Sequence, residues 1–197
     1  MAGKTIIAPA SALGRGGVSV IRMSGDHSKQ IAEAMCGSLA ESWKFKKCKI
    51  RSSEGQVLDS GMVVFFESPN SYTGEDVVEF HCHGNPAIVN LILEDAVNRG
   101  ARVAEPGEFT KTAFLNDKID LAQAESVADL INAQSKSAII AAGSSLSGEF
   151  SSKVDSIVEG LIKTRVVVEA HIDFPEEDID PLLLEKISKD LLVFSND

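Results

Sequence analysis

Hydrophobic and polar positions follow two rhythms along this chain, and the change between them falls near residue 119. Before it, short apolar runs alternate with glycine- and proline-bearing turns. KTIIAPA (4–10), VSVIR (18–22), WKFKKCKIR (43–51), QVLDSGMVVFFES (56–68), VVEFHCHG (77–84) and ARVAE (101–105) each predict a strand. Helical spacing intervenes over 26–36, where Ile31, Ala32, Ala34 and Met35 share a side and Gly37 stops the run. It returns over 86–99, opened by Asn85 as N-cap and Pro86 at the first helical position, with Ile88, Leu91, Ile92, Ala96 and Val97 in one stripe before Gly100. A third, shorter helix is EFTKTAFLND, 108–117.

From Asp120 to about Asp173 there is no strand signal and no proline. Asp120 with Gln123 has the form of a capping box that opens a helix over 120–133. A second helix is predicted from Ser135 to Ile172, roughly 55 Å long at about 1.5 Å per residue. Its apolar positions Leu146, Phe150, Val154, Ile157 and Leu161 step by 4, 4, 3 and 4, the spacing of a bundle or coiled-coil seam. One short neighbour cannot cover such a stripe, so either it dimerises or helices beyond residue 197 complete it. The acidic segment DFPEEDID (173–180) reads as a solvated turn, since it lacks the alternating oxygen ligands and glycine of an EF-hand loop, and 181–197 as another amphipathic helix. The fold class expected is α+β: a mixed α/β domain over 1–118, then, over 119–197, long α-helices of an incomplete helical bundle.

Composition narrows the class. With 44% hydrophobic and 24% charged residues among 197, the chain can bury a proper core. Its three cysteines, Cys36, Cys48 and Cys82, are odd in number and widely spaced, which fits a reducing compartment. No apolar run approaches a bilayer span and no signal-peptide pattern opens the chain, so no membrane role and a cytoplasmic location are expected. Of the net charge of −10, −6 lies in residues 172–197. Such acidity opposes tight, sequence-independent binding of nucleic acid by the whole chain. The one basic cluster, Lys44 to Arg51, holds five basic residues. It reads as a lysine-protected edge strand, with RNA contact by charge and stacking as the other reading.

The stretch richest in chemistry is GEDVVEFHCHGNP, 74–86. Strand alternation puts Glu79, His81 and His83 on one face and Val78, Phe80 and Cys82 on the other. A carboxylate in so apolar a strand needs fixed donors, either a neighbouring Arg or Lys or a ligand. A metal site on Glu79, His81 and His83 is disfavoured: residues two apart on a strand are nearly 7 Å apart, and His27 and His171 lie in unrelated segments. Arg22 shares a face with Val20 and, if that face is inward, needs an anion. Gly14 to Gly17 lead into a strand rather than a helix, unlike a phosphate cradle. Gly143 to Gly148 match the start of a nucleotide-binding loop, but Glu149 and Phe150 stand where it needs Lys and Ser or Thr. One buried acid can accept the adjacent amine and ring N–H of a pteridine, and scattered basic residues suit the anionic tail of a folate.

GRGGVSVIRMSG, PNSYTGEDVVEFHCHGNP, RVAEPGEFTKTAFLNDKIDLAQAESVADLI and EAHIDFPEEDID, in this order, closely resemble the MnmE (TrmE) family of tRNA modification GTPases. The resemblance implies a first domain similar to the tetrahydrofolate-binding domain of aminomethyltransferases, followed by the start of a helical domain. It implies a homodimer joined through the first domain and a bound one-carbon folate such as 5-formyl-tetrahydrofolate, contacted by Arg22, Glu79 and Lys118. It also implies work with the FAD-dependent partner MnmG on the wobble uridine of certain tRNAs, to which an aminomethyl-type group is added. Glu79 is expected on the pteridine edge, Arg22 and Lys118 on anionic parts or the formyl oxygen. Asn85 stands where the family usually has a second glycine. The GTPase domain, with its GTP, Mg2+ and K+, is expected beyond Asp197, so this chain should bind folate and dimerise without hydrolysing GTP. A stand-alone folate-dependent aminomethyltransferase is the rival reading.

Overall fold

Alternation along the strands gives the first unit one largely apolar sheet face and one that mixes apolar residues with polar ones, and the topology follows from covering the first. The structure, a computed structural model, describes residues 5–173, and these fall into two units that divide between Ile119 and Asp120. The first holds strands β1 (Ile6–Pro9), β2 (Gly16–Ser24), β3 (Lys46–Arg51), β4 (Val57–Phe66), β5 (Val77–Gly84) and β6 (Arg102–Val103), with helices α1 (Ser28–Cys36), α2 (Pro86–Asn98) and α3 (Glu108–Leu115). They form one sheet in the order β3-β4-β5-β2-β1-β6. All neighbours are antiparallel except β1 and β6.

Helices α1 and α2 cover one face. Ile31, Ala32 and Met35 from α1 and Val89, Ile92 and Ala96 from α2 pack with Ile7, Ile21, Met23, Ile50, Val63, Phe65, Val78, Phe80 and Cys82 in a single core. Burying each large side chain of this set contributes about 1.5–3 kcal/mol. Asn85 caps α2, accepting from the Ala87 N–H at 2.9 Å, with Pro86 at the first position. The glycine-rich segment meets β5 backbone to backbone: a Cβ on Gly84 would lie 2.6 Å from the Gly16 carbonyl oxygen, so β2 and β5 can meet there only without side chains. The basic segment is shorter as a strand than its alternation suggests. It pairs only from Lys46, because Trp43 sits in the left-handed region at φ 67° and turns the chain before the strand begins. β3 is an edge strand, as expected.

The second unit contains α4 (Leu121–Asn132), α5 (Lys136–Leu146) and α6 (Glu149–Asp173). The capping box at Asp120 and Gln123 is present in both directions. The single helix expected over 135–172 is instead two. Gly148, at φ 86°, breaks it after Ser147, and the Gln123 side-chain amide fixes the end of α5 by donating to the Leu146 carbonyl at 2.9 Å. The apolar stripe is thereby interrupted after Leu146. Its continuation on α6 stays largely open, with Phe150, Val154 and Leu161 each more than 40% exposed. Among the described residues no helix is long and apolar enough to cross a membrane. The acidic turn beyond Asp173 and the helix expected over 181–197 lie outside the described residues.

Candidate functional site on the open sheet face

On the face away from α1 and α2, the strand registers assemble what the sequence leaves scattered. Arg22 of β2 lies directly across from Glu79 of β5, and Val64 of β4 lies across from Glu79 on its other side. The guanidinium donates through Nε to Glu79 Oε1 at 2.9 Å, and its Nη2 is 2.8 Å from the same oxygen. Both side chains are mostly covered, at 24% and 14% exposure. Arg22 thus supplies the neighbouring cation that a carboxylate in an apolar strand requires.

The pair is asymmetric. Oε1 takes both guanidinium contacts, whereas Oε2 has only His81 Nε2 at 3.5 Å, too long and poorly directed to count as a hydrogen bond. His81 Nε2 is itself buried and has no hydrogen-bond partner among the described residues. A buried ring nitrogen left unpaired is an expensive arrangement for a purely structural site.

Aromatic rings frame these groups. The Arg22 guanidinium carbon lies 4.9 Å from the Tyr72 ring centroid and 5.7 Å from that of Phe109, the latter on α3. Phe45 meets the His81 ring edge to face at 5.1 Å. Tyr72 belongs to the connection between β4 and β5, which is tied down on several sides. Its hydroxyl bonds Thr110 Oγ1 at 2.9 Å, Asn116 donates to the Thr73 carbonyl at 2.8 Å, and Ser24 bonds both Thr73 Oγ1 and the Glu75 carboxylate. Lys118 belongs to this clamp. Its Nζ donates to the Pro69 carbonyl at 2.9 Å rather than to Glu79.

Of the three residues expected to contact a ligand, the structure therefore brings two, Arg22 and Glu79, into direct contact and ties the third, Lys118, to the loop that carries Tyr72. His83 departs from its strand-mates. Its ring Nδ1 meets Asp59 Oδ1 at 2.7 Å, and its backbone N–H donates to Asp59 Oδ2 at 2.7 Å. Burial, which raises the Asp59 carboxyl, is outweighed by the hydrogen bonds from His83 and from the Ser60 N–H, leaving it below the usual carboxylate range. Glu79, His81 and His83 do not converge, and among the described residues no group of three or more His, Cys, Asp or Glu is placed to hold a metal ion. Tyr72, Phe109 and Asp59 are not singled out by the sequence, and Phe45 stands out only as a ring of the basic segment. The one available signal was that Tyr72 is the only tyrosine, set in a turn-rich segment.

Comparison with known proteins agrees with this architecture. Residues 5–118 match the family described as GTP-binding protein TrmE N-terminus, and residues 121–197 match the MnmE helical domain. The chain is 53% identical over 176 residues to the tRNA modification GTPase MnmE of Neisseria gonorrhoeae (strain NCCP11945), covering 89% of this chain and 39% of that protein. It is 52% identical over 176 residues to the protein of that name from Nitrosomonas eutropha, again 89% of this chain and 39% of the relative. With the Coxiella burnetii (strain Dugway 5J108-111) protein of the same name it shares 49% identity over 188 residues, 95% of this chain and 41% of the relative. The chain spans about two fifths of the length of these relatives. Matched in both its sheet unit and its helical unit, the chain belongs to the MnmE (TrmE) family, its residues corresponding to the family's N-terminal and helical domains.

Proposed function

We propose that the open sheet face binds a reduced one-carbon folate, 5-formyl-tetrahydrofolate or a related form, and that the chain serves within a longer tRNA modification GTPase. The observation that carries this reading is the half-used Glu79 carboxylate beside the orphaned His81 Nε2, on a face edged by Tyr72, Phe109 and Phe45. These groups fit a flat heterocycle with adjacent N–H donors. A pteridine presents an amine and a ring N–H side by side, and a carboxylate accepts both through its two oxygens. Oε2 is already available; Oε1 must be yielded by Arg22. The guanidinium, kept over the Tyr72 ring, is then free to meet the formyl oxygen or an anionic part of the ligand. Lys118 holds the loop that presents Tyr72 and contributes positive charge at the rim. When bound, the folate would supply the one-carbon unit; the residues here bind and orient it.

In the longer protein, this chain would provide the homodimer contact through its first domain, while GTP hydrolysis with Mg2+ and K+ would reside in a domain it does not include. The product would be an aminomethyl-type group on a tRNA wobble uridine, made together with MnmG. Calorimetry on the 197-residue chain tests the binding reading. Glu79→Gln keeps the volume and one acceptor but removes the charge, and is expected to weaken 5-formyl-tetrahydrofolate binding more than tenfold. Wild-type affinity in that variant would mean that the Arg22–Glu79 pair only ties β2 to β5. One-carbon transfer from methylene-folate by this chain alone would favour a stand-alone aminomethyltransferase instead.

A further inference from the structure

The β3 edge and the turn before it carry features that folate binding does not use. Residues 44–51 contain five basic side chains and no acidic one, in a chain whose net charge is −10. Three of the five are engaged locally: Lys44 pairs with Glu41, Lys46 reaches Ser38, and Arg51 donates to the Gly55 carbonyl at 3.1 Å. Lys47 and Lys49 are exposed and have no hydrogen bond or ion pair among the described residues. In the register of the sheet, Lys47 lies across from Met62, which lies across from His81. These three share one row on the open face, with Lys47 about 10 Å from His81 at the usual strand spacing.

Lysines on an edge strand are explained by protection against edge-to-edge pairing. The aromatics beside them are not. Trp43 is 64% exposed and Phe45 55%, and Met62 is 47% exposed between Lys47 and His81. Trp43 is held in place despite a backbone conformation that bulky side chains rarely adopt. Its N–H donates to the Phe65 carbonyl at 2.8 Å and its ring packs edge-on against Phe66 at 4.7 Å. Two exposed rings followed along the same edge by two free cations, Lys47 and Lys49, which stand about 7 Å apart at the strand repeat, suit an extended polyanion that offers flat faces beside its charges.

We infer that Trp43, Phe45, Lys47 and Lys49 form a docking surface for single-stranded RNA, with bases stacking on the two rings and phosphates meeting the two lysines. Phe45 touches both this surface and His81, so a base stacked there stands at the rim of the Glu79 site. The inference deepens the folate reading by naming what is brought to that site, and rests on it for the destination of the base, though not for the binding.

Trp43 is the only tryptophan, so its emission reports contact directly. The 197-residue chain is titrated with a short RNA hairpin bearing a seven-nucleotide loop, and with the same stem closed as a blunt duplex, at two salt concentrations. The expected result is saturable quenching by the hairpin and far weaker quenching by the duplex. Affinity should fall with salt by about 0.7 log unit per log unit of salt for each phosphate neutralised. Phe45→Ala should lose roughly tenfold in affinity. Lys47→Glu/Lys49→Glu should flatten the salt dependence while leaving the thermal midpoint and 5-formyl-tetrahydrofolate affinity unchanged. Equal affinity for the duplex, or wild-type RNA affinity in the double lysine variant, overturns the inference. So does a Trp43 signal that depends only on protein concentration, which would assign the surface to a second copy of this chain. Failure of folate binding alongside intact RNA binding would remove the folate reading and leave this surface standing.

Discussion

The two faces of the first unit's sheet are built from the same strands, residue by alternate residue, yet they do opposite things. On the helix-covered face, Ile7, Ile21, Met23, Ile50, Val78 and Phe80 are sealed completely. On the other face, Arg22, Glu79 and His81 keep partial exposure and leave polar capacity unused. The helix-covered side holds the larger sealed cluster, although Val64 and Val77 beside Glu79 are sealed as well, so the second side can carry groups that the main core would not tolerate. A ligand site that must exchange an internal ion pair for an external one needs such a separation, because its own residues cannot also be the ones holding the fold.

The comparison breaks if damage to one face is felt equally on the other. The largest effect should come from Phe80→Ala, which opens a cavity under α1 and α2 and should cost about 3–5 kcal/mol of unfolding free energy in urea. Folate affinity of the fraction that remains folded should change little. Glu79→Ala should do the reverse, weakening 5-formyl-tetrahydrofolate by more than about 1.5 kcal/mol in calorimetry while costing less in stability than Phe80→Ala. If Glu79→Ala unfolds the chain as Phe80→Ala does, the open face is structural and the separation of roles is wrong.

How much of this was legible in the sequence depends on the range of the interaction. Alternation within β5 places Glu79 opposite in sense to Phe80, and the Asn85–Pro86 and Asp120–Gln123 caps are local signals that the structure reproduces. Register is not local. Nothing in VSVIR or in VVEFHCHG says that Arg22 faces Glu79 rather than a residue two places along, because that depends on how strands 57 residues apart align. The same reason hid Asp59, whose carboxylate reaches His83 from the neighbouring strand, and Tyr72, whose position depends on a loop clamped from β2 and from the segment around α3. The break between α5 and α6 had a local signal in Ser147–Gly148, but the apolar spacing ran through it and outweighed it.

Asp59 offers a sharper cut, since it belongs to the strand end rather than to the core or the ion pair. Asp59→Ala leaves the His83 backbone N–H without its acceptor and should cost about 1–3 kcal/mol. The sign of its pH dependence follows from its lowered carboxyl. The stabilisation it gives is present above the ordinary carboxylate value and is lost as pH falls through the folded-state value. The wild type should therefore lose stability below about pH 4, and part of that acid-side slope should vanish in Asp59→Ala. An unchanged slope in chemical denaturation would show that the contacts to His83 contribute nothing to the folded state.

The smallest expected effect lies in the second unit, at Gly148. An added methyl group meets only the Gln123 side-chain nitrogen, at 3.4 Å, an ordinary contact, so any cost is in the backbone. At φ 86° that cost is about 1–2 kcal/mol for an L-residue. Alanine is also the strongest helix former, so the substitution sets the strain of the left-handed turn against the gain from a continuous helix. The bond from Gln123 to the Leu146 carbonyl and the capping box that orients Gln123 both hold the bend. Gly148→Ala is therefore expected to lose stability without gaining helical ellipticity, and to speed hydrogen exchange in α5 and the first turns of α6. A rise in ellipticity with slower exchange would mean that the apolar stripe from Leu146 to Leu161 prefers to run unbroken, and that Gly148 alone was preventing it.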